Sequence, residues 1–137
     1  MKFFLKISPE WSLRFGLGIM YLYSGYALIL NPTAWIWAVP GWFSKMVTSF
    51  VPLEVYLRLQ GVAELMMAFV LLIWLLNRNF VRIVAAISAL EFTFILLFAP
   101  QFSITFRDIG LLGAASALLI LVSLPKNNLG NRHSTSF

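Results

Sequence analysis

Four stretches of the chain are almost unbroken runs of apolar residues, and prolines or asparagines mark where they stop. A bilayer core of about 30 Å takes about 20 apolar residues in a helix. The first stretch runs from about Ser12 to Leu30 and stops at Asn31-Pro32. The second runs from about Leu53 to Leu76, with Pro52 at its first turn and Asn77 after it. The third runs from about Phe80 to Ala99 and is ended by Pro100; the fourth runs from about Asp108 to Leu124, before Pro125. The pattern predicts an all-α membrane four-helix bundle formed by one domain, 1–137, with a polar cytoplasmic tail over 125–137. The short Asn77–Asn79 turn makes spans two and three an antiparallel hairpin.

The long first connection, NPTAWIWAVPGWFSKMVTSFVP, departs from the usual solvated loop. Trp42, Phe43, Met46, Val47 and Phe50 fall near helical spacing, which predicts a short amphipathic helix on the membrane surface. Two uses fit it. The aromatic residues anchor the bundle as an interfacial belt, or Trp35, Trp37 and Trp42 form a lid over a site within it.

Polar residues interrupt the apolar pattern at specific places. RLQGVAEL, residues 58–65, sets Arg58, Gln60 and Glu64 into the second span. Leu57, Gln60, Gly61, Glu64 and Ala68 share one stripe at i, i+3, i+4 spacing, so that face is predicted to meet other helices. Glu54 and Arg58 are spaced as an i, i+4 pair. Glu91 lies in the third span, and Arg107 and Asp108 open the fourth, where an acid suits a helix N-terminus. Tyr21, Tyr23, Ser24 and Tyr26 come from the first span. A rise of about 1.5 Å per residue puts Glu64 about 16 Å and Glu91 about 12 Å from their outer helix ends. Tyr21, Arg58, Gln60, Glu64, Glu91, Arg107 and Asp108 therefore form the candidate polar cluster in the outward half of the bundle, either a structural element that fixes helix register or a ligand site. Arg58 and Arg107 face four carboxylates there: Glu54, Glu64, Glu91 and Asp108. Two cations leave at least one buried carboxyl to be protonated or bonded to a Tyr, a Gln or a ligand. Gly110, Gly113, Ala114 and Ala117, and Gly18 with Gly25, form small-residue faces suited to close helix packing or to a homodimer.

Charge sets direction. Lys2, Lys6, Arg14, Arg78, Arg82, Lys126 and Arg132 fall on one side of the spans, against Lys45, Arg58 and Arg107 on the other. Cytoplasmic loops carry the excess of basic residues, so both termini are expected in the cytoplasm. The Pro100–Phe106 loop then faces outward with the first one. The net charge of +5 is dispersed along the chain and does not indicate nucleic-acid binding. A cleaved signal peptide is not expected, because Arg14 breaks the first apolar run and no small-residue cleavage site follows it. The chain is 61% hydrophobic and has a mean hydropathy of +0.88, more apolar surface than a soluble domain of 137 residues can hide. It has no cysteine, and its single histidine, His133, lies in the polar tail. Thiolate or histidine ligation of a metal within the membrane is therefore not expected.

RFGLGIMYLYSGYALILNP, GVAELMMAFVLLIWLLNR and FRDIGLLGAASAL, in this order and spacing, resemble the DoxX/DoxD-like family of small four-helix membrane proteins. The resemblance spans most of residues 14–119. It covers Arg14, Gly18 and Gly25, then Gly61 and Glu64, then Arg107, Asp108, Gly110 and Gly113. Where members often carry an acidic residue and a lysine after the SG of the first span, this chain has Ala27 and Leu28. The family is named for a thiosulfate:quinone oxidoreductase subunit. The resemblance implies a multi-pass protein of a prokaryotic inner membrane, an accessory subunit of a membrane-associated redox complex, with quinone as the cofactor to be looked for. A quinone-linked oxidoreductase subunit is the alternative, with Glu64, Glu91, Arg58 and Tyr21 as its polar groups. A small carrier or channel is the third reading, against which four short helices without an inverted repeat leave little room for alternating access.

Overall fold

The computed structural model describes residues 8–73, 75–98 and 102–125, with side chains from residue 107 onward in the last segment. The described residues are mostly helical, and no strand occurs among them. α1 spans Pro9–Leu30 and is followed by a 3-10 segment, Pro32–Ala38. α2 spans Gly41–Thr48, α3 Leu53–Leu72, α4 Arg78–Phe98 and α5 Phe102–Ser123.

Local chemistry explains the boundaries. Ser8 caps α1 by accepting from the Trp11 N–H at 3.3 Å, and Pro9 sits in the first turn, where it needs no donor of its own. α1 therefore starts three residues before the expected Ser12. α3 follows Pro52 as expected but ends at Leu72, four residues short of Leu76. Apolar residues continue past that point, so hydropathy does not mark the end. Ile73 turns to extended backbone, and Arg14 takes the freed carbonyls. α5 begins at Phe102, so most of the expected Pro100–Phe106 loop is helix. Ser and Thr are compatible with early helical turns. Asp108 consequently lies inside α5 and not at its start.

α1 and α3 form the tightest pair, α4 and α5 the second, and α1 also packs on α5. The first pair closes on bare backbone. A Cβ at Gly25 would stand 2.7 Å from the Gly61 carbonyl oxygen, and one at Gly61 would stand 2.7 Å from that of Gly25. Only glycine allows this approach. The shared core is Leu17, Tyr21, Ala68, Leu71, Val81, Ala85, Phe92, Ala115, Leu118 and Val122.

The outer surface is apolar as well. Phe15, Ile19 and Leu22 of α1, Leu59, Met66 and Phe69 of α3, and Ile83, Leu90 and Phe94 of α4 are each about half exposed or more. Arg14, Glu64, Ser88 and Asp108 are buried instead. α1, α3 and α4, at 22, 20 and 21 residues, are each long and apolar enough to cross a membrane.

Candidate functional site

The stripe on α3 faces inward as its spacing requires. Leu57, Gly61, Glu64 and Ala68 are buried, and Gln60 is half-buried beside them. From α1 comes Tyr21, 1% exposed, whose hydroxyl donates to Glu91 Oε2 of α4 at 2.8 Å. The Tyr21 ring also stacks on Phe92, which fixes the phenol in place. Ser24 of α1 and Gln60 of α3 approach Glu64, and Gln60 also approaches Glu91. Three helices thus contribute Tyr21, Ser24, Gln60, Glu64 and Glu91 to one interior cluster. Ser88, one turn before Glu91, lies next to Tyr21 and is fully buried.

The cluster holds two carboxyls served by neutral donors alone. Glu64 Oε2 and Ser88 Oγ are buried without a hydrogen-bond partner. No ion pair reaches Glu64 or Glu91 among the described residues; the pairs present join Glu10 to Arg14 and Arg78, and Arg107 to Asp108. Buried polar groups are normally satisfied, so the carboxyl oxygen of Glu64 is the atom here that ordinary packing leaves unexplained; Arg78 Nε, at the opposite end, is also without a partner.

Several sequence-predicted residues lie elsewhere. Arg58 is exposed, and so is Glu54; the expected i, i+4 pair between them is not formed among the described residues. The Arg107 side chain is 63% exposed and faces Asp108 Oδ1 at 3.7 Å, at the edge of the cluster. Asp108 itself is buried. Tyr23 and Tyr26 point outward, at 73% and 60% exposure, while Tyr21 and Ser24 point in. Ser88 was not legible as a polar partner, although its spacing of three from Glu91 puts it on the same side of α4.

The tryptophans do not gather over the carboxyls. Trp42 packs edge-on against Phe98 of α4 and Phe43 of α2. Trp35 and Trp37 line a groove of about 400 Å³ with Tyr23, Tyr26, Ala27 and Leu30. Neither Glu64 nor Glu91 lines it. A second groove on the α3 surface, of about 440 Å³, is walled by Val62, Leu65, Met66, Phe69 and Val70.

A separate polar group stands at the opposite end of the bundle. Arg14, 5% exposed, donates to the carbonyls of Leu71 at 2.9 Å and Ile73 at 3.0 Å, and lies over the Trp11 ring. Arg78 donates to the Leu121 carbonyl at 2.7 Å, and Arg82 to that of Val122 at 3.2 Å. The last turns of α3 and α5 are therefore capped by arginines from the neighbouring helices. Helix C-termini leave four carbonyls unsatisfied and carry partial negative charge, and guanidinium groups answer both needs. No group of acidic or histidine side chains able to hold a metal ion occurs among the described residues. The chain matches no known protein-family model, and no curated protein or solved structure matches it.

Proposed function

We propose that the chain is a multi-pass membrane protein of four spans, α1, α3, α4 and α5, with both ends on the cytoplasmic side of a prokaryotic inner membrane. In this reading it is a DoxX-like accessory subunit of a membrane-associated redox complex. The observation that carries the membrane assignment is the inverted distribution of polarity. Phe, Ile, Leu and Met cover the outside of the helices while Arg14, Glu64 and Asp108 are buried. Lipid accepts such an exterior, and water does not. The arginine-capped end carries basic residues of the larger set, in keeping with a cytoplasmic position.

The accessory role draws support from α5. Gly110 and Gly113 meet nothing within 4 Å where a Cβ would stand, so this small-residue flank is free for another helix. Purification of the tagged chain in a mild detergent tests the role. Stoichiometric larger membrane subunits are the expected result. A chain that elutes alone, or only with copies of itself, ends the accessory reading.

The groove beside Trp35 and Trp37 favours a second reading, a quinone-linked subunit, because it offers an apolar wall with the phenols of Tyr23 and Tyr26. Organic extraction of the purified protein is the test: stoichiometric quinone supports this reading, and its absence removes it.

A further inference from the structure

Glu64 is 5% exposed and carries an oxygen without a partner. A carboxylate at this depth requires donors or a cation. Its neighbours Ser24 and Gln60 supply donors but no charge, and the arginines that could neutralise it are engaged with Glu10 and Asp108 or exposed. Glu91 receives one hydrogen bond, from Tyr21. Ser88 Oγ, fully buried on the same side, lies beside the Tyr21 hydroxyl. A carboxylic acid O–H removes the charge and supplies a donor in one step. A proton is the smallest occupant that would remove the buried charge of Glu64.

The surroundings are asymmetric. Toward the arginine-capped end lie Leu17, Ala68, Leu71, Val84, Ala85 and Leu118, none more than 7% exposed. Toward the other end, half-buried Gln60 and Tyr56 lie on the preceding turns of α3, and Asp108 and exposed Arg107 continue the polar series on α5. The ionisable groups facing the pair are Tyr21 from α1, Tyr56 from α3 and Asp108 with its Arg107 from α5.

We propose that Glu64 and Glu91 form an exchangeable proton-binding site, loaded from the Arg107 side of the bundle and sealed from the arginine-capped side. The proposal rests on the membrane reading. Dicyclohexylcarbodiimide, which adds to protonated carboxyl groups in lipid, is the probe. The chain is placed in sealed phosphatidylcholine vesicles, sorted to one orientation by an N-terminal tag, and the pH on each side is set separately. The expected adduct maps by mass spectrometry to Glu64 or Glu91. Its rate of formation falls about tenfold per pH unit once the Arg107 side is more alkaline than the site. It does not respond to pH on the other side. E64Q and E91Q together abolish it, and E54Q, at an exposed position, leaves it intact. An unmodified pair in the wild-type chain, an adduct indifferent to pH, or one that follows pH on the arginine-capped side overturns the proposal. Failure of the membrane reading shows earlier and separately, as a chain that does not float with the vesicles before reagent is added.

Discussion

At position 61 a single methyl group decides whether α1 and α3 can touch. An alanine there would put its Cβ 2.7 Å from the Gly25 carbonyl oxygen and 2.9 Å from Leu28. Backbone on one side cannot swing away, so the helices must separate. Gly61→Ala is expected to cost about 1–3 kcal/mol, the usual range for overpacking. Gly113→Ala, which meets nothing within 4 Å, is expected to leave the isolated chain unchanged. Thermal unfolding of both variants in one detergent checks the contrast, and equal midpoints would mean that the α1–α3 contact is looser than described. Arg14 makes the second residue-scale case. Its guanidinium answers the Leu71 and Ile73 carbonyls from a buried position. Arg14→Ala strands those carbonyls and is expected to cost about 1–3 kcal/mol for each one left buried without a donor. Arg14→Lys recovers only part, because an ammonium is a point charge without the planar fork. Full recovery by lysine in the same melting assay would show that charge alone matters. Glu64 behaves differently. Its replacement frees no arginine, contrary to what charge counting along the sequence suggests, since no arginine pairs with it. Glu64→Gln should therefore melt within about 1 kcal/mol of the parent. A loss several times larger would reveal an ionic partner.

The elements were legible where side-chain period carries the information. The α3 stripe from Leu57 to Ala68 reads directly as a buried face, and the spacing from Trp42 to Val47 reads as the short helix α2. Ends set by tertiary contacts were not legible. α3 stops at Leu72 within an apolar run, at the place where Arg14 caps it. α5 starts ahead of Asp108 because an acid marks a helix start only when nothing earlier suits one. The polar cluster was half legible for a related reason. Spacing shows which side of its own helix Glu64 or Glu91 occupies, but not which arginine from another helix comes near. Arg58 is exposed and Arg107 reaches only the edge, through Asp108, while Ser88, hidden among apolar neighbours, lies inside. The free flank of α5 gives a prediction at this scale. Gly113→Leu adds bulk where the chain itself makes no contact. Thermal stability of the isolated chain should hold, while recovery of co-purifying subunits should drop about tenfold if a helix packs there with the close approach that glycine allows. Unchanged recovery would remove α5 as the partner-facing helix.

For the whole molecule the decisive question is direction. The two ends of the bundle differ in kind. One gathers Arg14, Arg78 and Arg82 around the carbonyls of α3 and α5; the other carries Trp35, Trp37 and Trp42, α2 and Lys45. Arginines that cap helix ends are fixed by packing, so they cannot move to suit a different orientation without uncapping two helices. The positive-inside bias then acts on a rigid asymmetry. The arginine end is expected in the cytoplasm and α2 on the opposite surface. The chain lacks cysteine, so single cysteines report cleanly. In intact cells an impermeant maleimide should label Ser44→Cys and spare Ser134→Cys, and lysis should expose the second. The reverse pattern would invert the bundle. It would also place Arg107, the entry side of the proposed proton site, in the cytoplasm, so the same two cysteines decide which compartment that site senses.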